Sequence, residues 1–304
     1  MKYSLVKTTL FLICTCILIS EKRPYVVVLG IAQDGGSPHA GCEQLCCKEY
    51  WLTNKKNKVS CLGIIDPRSK QSWMIDATPD FPSQYRILTE EHNTKMSGIF
   101  LTHAHMGHYT GLLHLGREVM GEDNIPVYAM PRMKHYLENN GPWDQLVSLN
   151  NIELKLLQDS KEIKLEQNLF IEPFLVPHRD EYSETVGYRI MANNRSIIFI
   201  PDIDKWDKWE QNIFKVVLNN DIALLDGTFY SQDEIPHRDM SEIPHPFIIE
   251  TMETLFDLNA TNRKKIHFIH FNHSNPAIKQ NSAASNIIKS KGFNVSREND
   301  RFKL

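Results

Sequence analysis

Three histidines occupy six positions in the stretch LTHAHMGHYTGL, residues 101–112, directly after an apolar run. His103 and His105 are two positions apart and point the same way in an extended chain, while His108 follows His105 by about one helical turn. Imidazole nitrogens are frequent ligands of zinc and other divalent metals. A turn of this spacing can direct all three rings into one small volume, and we predict a metal site here.

Metal-binding or acidic side chains also stand at the ends of several other predicted strands. These strand-end residues are Asp76, His103, His178, Asp202, Asp226 and His270. Strand ends of a layered α/β fold gather at one edge, where ligands bind. We therefore expect the six side chains to meet at one site. The remaining histidines that we interpret as ordinary surface or core residues are His92, His135, His237 and His245.

The elements that must position these residues come as two batches of strands, and each batch closes with alternating strands and helices. Hydrophobic periodicity predicts a strand in YVVVLGIAQ and long helices in HYTGLLHLGREVM and DKWDKWEQNIFKVVLNN. No stretch resembling a linker divides residues 25–304. The pattern predicts an α/β fold, with residues 25–304 as one domain built as a four-layer αβ/βα sandwich.

Composition limits the possible partners. The chain has 304 residues and a formal net charge of −3, and no basic stripe interleaved with aromatic residues is present, so we expect no nucleic-acid partner. In residues 1–24, Lys2 and Lys7 precede an apolar run of about a dozen residues, which is shorter than the ~20 that a spanning helix needs. We interpret them as a signal peptide or N-terminal membrane anchor, and expect export to the periplasm or tethering to a membrane. A buried first helix or strand is the alternative.

The motifs together resemble those of the metallo-β-lactamase superfamily. They are LTHAHMGHYTGL, the preceding MIDA, PH at 177–178, IPD at 200–202 and FIHFNH at 268–273, in the order that this family has. Within it, FIHFNHSNPAI, DATPDF, DGTFY and VLGIAQDGGSP resemble the coenzyme PQQ biosynthesis protein B branch. Early cysteines combined with a late H-x-x-H resemble the branch of cyclic phosphodiesterases of phosphonate breakdown. Either likeness implies an αβ/βα fold.

The resemblance implies a role for each strand-end residue. One metal site would contain His103, His105 and His178, and a second would contain His108 and His270, with Asp202 as a bridge between them. Asp76 would orient a ligand histidine without touching the metal. Asp226 would lie near the substrate pocket. The residues expected to take part in catalysis are therefore Asp202, Asp76 and Asp226.

One position departs from the family pattern H-x-H-x-D-H, in which the aspartate ligates the second metal. This chain has Gly107 there, and glycine offers no ligand. We therefore expect one tightly bound catalytic Zn²⁺ and a second ion that is weak or absent, with Mn²⁺ or Fe²⁺ as other candidates. If a further base is needed to orient water, Asp202, Asp80 and His108 are the candidates.

The segment HAGCEQLCC brings three thiols within six residues, which suits a metal better than a set of disulfides. By analogy with the phosphodiesterase-like branch, a structural Zn²⁺ would be held by Cys42, Cys46, Cys47 and His273. His39 or Cys61 can substitute for one of these. A disulfide pair, or small buried apolar side chains, is the alternative interpretation.

Metal-assisted hydrolysis is the leading functional hypothesis. We expect a small-molecule substrate, first a phosphodiester or phosphate ester and then a lactone or thioester. The chain has no G-x-S-x-G elbow, no P-loop and no G-x-G-x-x-G motif. Two alternatives remain: an iron-dependent oxidation like that of the PQQ biosynthesis protein B branch, and a non-catalytic metal-binding protein of the cell envelope.

Overall fold

The computed structural model describes residues 23–235, 239 and 242–304. Most of the predicted leader, together with His237, lies outside these residues. In the described part of the chain, no helix is both long enough and apolar enough to cross a bilayer.

Strands alternate with short helices along the described chain. The strands are β1 (Tyr25–Gly30), β2 (Cys61–Asp66), β3 (Gln71–Ile75), β4 (Lys95–Phe100), β5 (Ile125–Ala129), β6 (Ile152–Leu156), β7 (Ile163–Glu166), β8 (Leu169–Leu175), β9 (Val186–Ala192), β10 (Arg195–Ile200), β11 (Ile222–Asp226), β12 (Ile266–Ile269), β13 (Asn294–Val295) and β14 (Arg301–Lys303). The α-helices are α1 (Leu45–Thr53), α2 (Phe81–Arg86), α3 (Met106–Tyr109), α4 (Pro131–Asn139), α5 (Trp143–Ser148), α6 (Ile213–Leu218), α7 (Ile248–Thr254), α8 (Ala260–Arg263) and α9 (Ala283–Ser290).

The described strands form two seven-stranded sheets, with the orders β14-β1-β2-β3-β4-β5-β6 and β13-β12-β11-β10-β9-β8-β7. In the first sheet β3 to β6 run parallel, and in the second β10 to β13 run parallel. The parallel strands of each sheet therefore end at a common edge, as the predicted strand-helix alternation requires.

Alternating side chains of the strands face two different apolar layers. On β1, Val26 and Val28 belong to the core between the two sheets, whereas Val27 and Leu29 face a second core that includes residues of α2 and α4. This alternation follows from the period of two along a strand. Helices α6, α7 and α9 contribute to the core on the side of the second sheet. The predicted α/β fold with four layers, αβ/βα, is confirmed.

Two predicted helices are much shorter than their periodicity suggested. The segment after the histidine triplet forms α3 and then a 3-10 helix over Thr110–Leu115, and the later segment forms only a 3-10 turn and α6. In the first case, backbone groups are bonded elsewhere: Ala77 donates its N–H to the carbonyl of His108, and Gly111 donates to that of Ala77. These bonds to a neighbouring turn replace those of a continuing helix.

His267 on β12 gives a testable acid dependence of stability. Its ring lies 4.8 Å from that of Phe302, and burial lowers its pKa to about 4. The unfolded chain, with a histidine pKa near ~6.5, binds this proton first, so the folded state loses stability as the pH falls from about 6.5 towards 4. Between pH 7.5 and 5 we expect this residue to cost about 2 kcal/mol of unfolding free energy.

The variant His267→Gln should remove this loss, and urea unfolding at the two pH values measures it. Replacement of the exposed His135 by glutamine is the matched control. Equal pH dependence in the parent and His267→Gln would contradict the prediction.

Candidate metal centre

Three of the predicted ligands meet at the edge of the two sheets. His103 Nε2 lies 2.8 Å from His105 Nδ1, and the ring of His178 is 5.5 Å from that of His103 and 5.1 Å from that of His105. One ring nitrogen of each lies within 4.8 Å of the others, a separation that one ion can bridge. His103 and His105 come from the turn after β4, and His178 comes from the turn after β8. This group is called site one below.

A second group lies beside the first and contains Asp34, His108 and His270, whose ligand atoms are also within 4.8 Å of one another. His108 Nε2 is 3.3 Å from Asp34 Oδ1. The sequence predicted the two histidines, but Asp34 was not among the candidates. It follows β1 in a turn, DGGSP, whose composition indicated only a turn. This group is called site two.

Asp202 stands between the two groups. Its Oδ2 is 3.2 Å from His108 Nε2 and 3.2 Å from His270 Nε2, and its Oδ1 is 3.8 Å from His178 Nε2. The side chain is almost fully buried at the end of β10. The position fits the bridging role that the resemblance implied, although its ligand role, like those of the histidines, stays a prediction.

Further side chains orient the rings through their other nitrogens. His108 Nδ1 is 2.8 Å from Asp76 Oδ2, His270 Nδ1 is 3.0 Å from Thr228 Oγ1, and His105 Nε2 is 3.1 Å from Glu181 Oε2. Thr102 Oγ1 donates to Asp76 and lies 3.0 Å from His103 Nδ1. Such outer partners fix the tautomer of a ligand histidine and raise its basicity. Asp76 therefore lies where the sequence prediction put it.

The backbone bends sharply where two of these side chains leave their strands. Asp76 has a φ of 70° and His270 has a φ of 65°, in the left-handed region that residues other than glycine rarely adopt. Each such residue costs of order 1–2 kcal/mol, and the surrounding hydrogen bonds must hold it there. Strain of this kind is concentrated at functional sites.

Buried polar atoms without partners test whether a cation fits. In the described part of the chain, several buried atoms of the two groups have no hydrogen-bond partner: Asp34 Oδ1, His108 Nε2, both ring nitrogens of His178, Asp202 Oδ2 and His270 Nε2. Buried polar atoms are nearly always hydrogen-bonded, so such a cluster needs an explanation. A divalent ion bound to these lone pairs would supply it, and the residues therefore fit a metal.

Burial and the carboxylates act in opposite directions on the charge of these histidines. Burial lowers the pKa of His178 to about 4 and holds that of His103 well below its ordinary value. For His108 burial acts in the same direction, but the carboxylates of Asp76, Asp202 and Asp34 outweigh it and hold the pKa well above its usual value. The carboxylates thus favour a cation at the centre, while the neutral imidazoles offer lone pairs.

His245 corrects the sequence interpretation. It was expected to lie apart from the site, but its ring is 5.1 Å from that of His178, and its Nδ1 is 2.8 Å from Asp226 Oδ2. Asp226 also accepts N–H groups from Ile203 and Thr228. His245 lies outside any strand, and for this reason the strand-end criterion missed it. His92 and His135 do lie away from the centre, against Tyr25 and Asn139 respectively.

Asp80, a candidate base, is committed elsewhere. Its carboxylate accepts the N–H of Val59 and pairs with Lys56.

The cysteine cluster assembles as predicted, with the fourth member brought from 226 residues away. The Sγ atoms of Cys42 and Cys46 are 3.8 Å apart, and His273 Nδ1 is 3.6 Å from Cys46 Sγ and 3.4 Å from Cys47 Sγ. A tetrahedral zinc with Zn–S bonds of about 2.3 Å separates two sulfurs by roughly 3.8 Å. The four residues therefore have the spacing of a zinc site.

The alternatives to this ligand set do not fit the structure. Cys61 is buried on β2 and donates to the carbonyl of Asp76, and the His39 ring lies tilted against that of His273 with its Nδ1 against the carbonyl of Ala40. The four cysteines of the described residues are free thiols in this structure.

Two αβ layers packed sheet to sheet, with this histidine and aspartate arrangement at one edge, define the metallo-β-lactamase type of protein. Residues 73–271 match the sequence model of the Beta-lactamase superfamily domain, and the chain belongs to this family. It is similar along its length to coenzyme PQQ synthesis protein B: 22% identical to that of Acinetobacter baumannii (strain ACICU), over 92% of this chain and 100% of the relative. The protein of Methylococcus capsulatus (strain ATCC 33009 / NCIMB 11132 / Bath) is 24% identical, over 88% of this chain and 96% of the relative.

Two solved structures have the same fold. The Zn²⁺-bound PqqB of Methylobacterium extorquens superposes with a TM-score of 0.76 at 20% identity, covering 92% of this chain and 100% of its own. A diphosphatase of the PhnP family gives a TM-score of 0.64 at 20% identity, covering 93% of this chain and 97% of its own. At this identity the two similarities show the fold that the chain shares with these proteins.

Proposed function

We propose that this protein hydrolyses a phosphodiester or phosphate ester of a small molecule, and that it uses a pair of divalent metal ions, preferably Zn²⁺. The observation that carries the proposal is the placement of Asp202 between two sets of convergent imidazoles, each set able to hold one ion. Lactones and thioesters are the next substrates in order. The likeness to a diphosphatase supports phosphate chemistry through the fold alone.

The residues around the two metal sites have different proposed roles. Site one is held by His103, His105 and His178, and Asp202 is shared between the two sites. Asp76 and Thr228 act on the rings from behind, so that the nitrogens facing the centre keep their lone pairs. When bound, a metal pair supplies an acidified water and neutralises charge on the phosphoryl oxygens.

His245 is the candidate proton donor for the leaving group. Asp226 holds its Nδ1, which leaves Nε2 as the nitrogen that can give a proton to a departing oxygen. Burial lowers the pKa of His245, but the charge of Asp226 and the hydrogen bond to it raise the pKa above its usual value. An imidazolium held by a carboxylate is an established form of general acid.

An iron-dependent oxidation is the second candidate. Two observations favour it: full-length likeness to coenzyme PQQ synthesis protein B, and a set of imidazole and carboxylate ligands that also suits Fe²⁺. A non-catalytic metal-binding protein is the third. In all three, the cysteine cluster with His273 would hold a structural Zn²⁺ that fixes the chain between α1 and the segment after β12.

The deciding experiment begins with elemental analysis of protein purified without added metal. It is followed by assays with bis(p-nitrophenyl) phosphate, a cyclic phosphodiester, a diphosphate ester and a lactone, and by oxygen-electrode measurements on the ferrous protein. Phosphodiester turnover with Zn²⁺ or Mn²⁺ is expected. Consumption of O₂ by the ferrous form without ester turnover would establish the oxidation instead. A fully metallated protein that turns over none of the substrates and consumes no O₂ would support the third candidate, a non-catalytic metal-binding protein.

The variant His103→Ala is expected to lower bound metal by roughly one equivalent and to abolish turnover, because site one loses one of three imidazoles. Elemental analysis and the phosphodiester assay measure the two effects. His135→Ala, which changes an exposed histidine on α4, is the control. Unchanged metal content in His103→Ala would contradict the assignment of site one.

A further inference from the structure

Gly107 and Asp34 occupy the same small volume next to His108. A methyl group placed on Gly107 would lie 2.3 Å from Asp34 Oδ1 and 2.5 Å from Asp34 Cα. Contacts this short cannot be relieved by rotating a side chain, because one of the two atoms belongs to the backbone of Asp34. The chain therefore holds Asp34 where it is only because residue 107 has no side chain.

The Asp34 carboxylate is aimed at the two histidines of site two. Its Oδ1 is 3.3 Å from His108 Nε2, is buried and has no hydrogen-bond partner among the described residues, although 28% of the side chain is exposed. His108 Nδ1 already bonds to Asp76, so its Nε2 is the nitrogen that faces the oxygen, either through a proton or through a bound cation. The same applies to His270, whose Nδ1 faces Thr228.

The turn that carries Asp34 is fixed to the segment that carries His270. Gln33 donates its N–H to the carbonyl of Phe271, and Phe271 donates its N–H to the carbonyl of Ile31. The residue before Asp34 and the residue after His270 are thus joined by backbone hydrogen bonds. The separation of the two side chains is set by these bonds and does not depend on loop mobility.

Charge points the same way. Asp34 and Asp202 place two carboxylates around site two, and the histidines there are neutral when they bind a metal. Two negative charges facing one buried volume repel each other unless a proton on His108 or a metal cation compensates them. A divalent cation balances them.

We propose that Asp34 is a ligand of the second metal ion, together with His108, His270 and the shared Asp202, and that Gly107 is required because any side chain there would displace it. The second site then has a full set of ligands. The expectation of a weak or absent second ion, which was drawn from Gly107, is replaced by the proposal that a second ion is bound. This inference concerns the metal centre of the proposed hydrolase, but it is tested by metal binding alone.

The test counts Mn²⁺ ions in the full-length protein whose cysteine cluster retains zinc, by isothermal titration and electron paramagnetic resonance. The parent is expected to bind about two equivalents with the signal of a coupled pair, since paired sites hold ions about 3.5–4 Å apart. Asp34→Asn, which keeps the shape of the side chain, and Asp34→Ala should bind about one, with an uncoupled signal. Asp123→Asn, at an exposed aspartate, is the matched control.

A second variant tests the steric half of the proposal without removing any ligand. Gly107→Ala should also lose the second equivalent, because the added methyl forces the turn of Asp34 away from His108. Two equivalents with parental affinity in either Asp34 variant or in Gly107→Ala, or only one in the parent, would overturn the inference. Loss of the second ion in these variants, with no ester hydrolysed by the parent, would uphold it while the proposed function fails.

Discussion

Replacing Asp202 with asparagine is expected to abolish hydrolysis and to weaken both metals, the largest effect that we expect from one substitution. Both oxygens of Asp202 face ligand nitrogens: one faces His108 and His270, and the other faces His178. The amide keeps the shape but removes the negative charge shared by the two sites. Even residues that only orient a ligand change metal affinity by about 10–100-fold, so we expect at least a ~100-fold loss here.

Metal content by elemental analysis and the phosphodiester assay together measure this effect. Asp204→Asn is the matched control, since Asp204 lies two positions away and pairs with Lys208 at the surface. An Asp202→Asn protein with parental metal content and turnover would refute the bridging role.

Replacing His245 with glutamine should leave the metals in place and still lower kcat by about 10²–10³-fold for substrates with a poor leaving group, which is the contribution typical of a general acid. None of the residues assigned to site one or site two is changed by this substitution, so metal content should not change. Because the pKa of His245 is raised, the acid form persists into the neutral range, and the kcat of the parent should fall as the pH rises through that pKa.

The leaving group separates this role from a merely structural one. Bis(p-nitrophenyl) phosphate releases a good leaving group that needs little protonation. Diphenyl phosphate releases a poorer leaving group, whose departure depends more on protonation. His245→Gln should lose much more activity on the second substrate, and its alkaline limb should disappear. Equal losses on both substrates, or a fall in bound metal, would assign His245 to positioning and not to proton transfer. Asp226→Asn should follow the same pattern.

The sequence predicted those site residues whose positions are set by local geometry. His103, His105 and His108 lie within one turn, and His178, Asp202 and His270 follow strands, so a layered fold was enough to bring them together. The four-layer arrangement itself was visible in the order of strands and helices. Composition and period decide these features, and the structure adds only distances.

Asp34 and His245 could not be predicted in this way. Asp34 stands in a glycine-rich turn, and its approach to His108 depends on hydrogen bonds between segments about 240 residues apart in sequence. His245 is placed by its bond to Asp226 and not by a strand. The long helix predicted after His108 failed for a related reason, since its backbone groups bond to Ala77. In each case a contact between distant segments outweighs the local pattern.

The cysteine cluster has a consequence for the durability of catalysis. The chain from Asp34 to Cys47 carries one proposed ligand of site two and the three thiols of the cysteine cluster, and the chain from His270 to His273 carries a proposed ligand of site two and the histidine of the cysteine cluster. The two segments are therefore linked at one end by site two and at the other end by the cysteine cluster. Oxidants or alkylating agents that modify Cys42 or Cys46 would break the link at the cysteine cluster. The ion of site two would then be bound more weakly, although none of its own ligands had reacted. In an enzyme built in this way, modification of the cysteine thiols would therefore be seen as a loss of turnover.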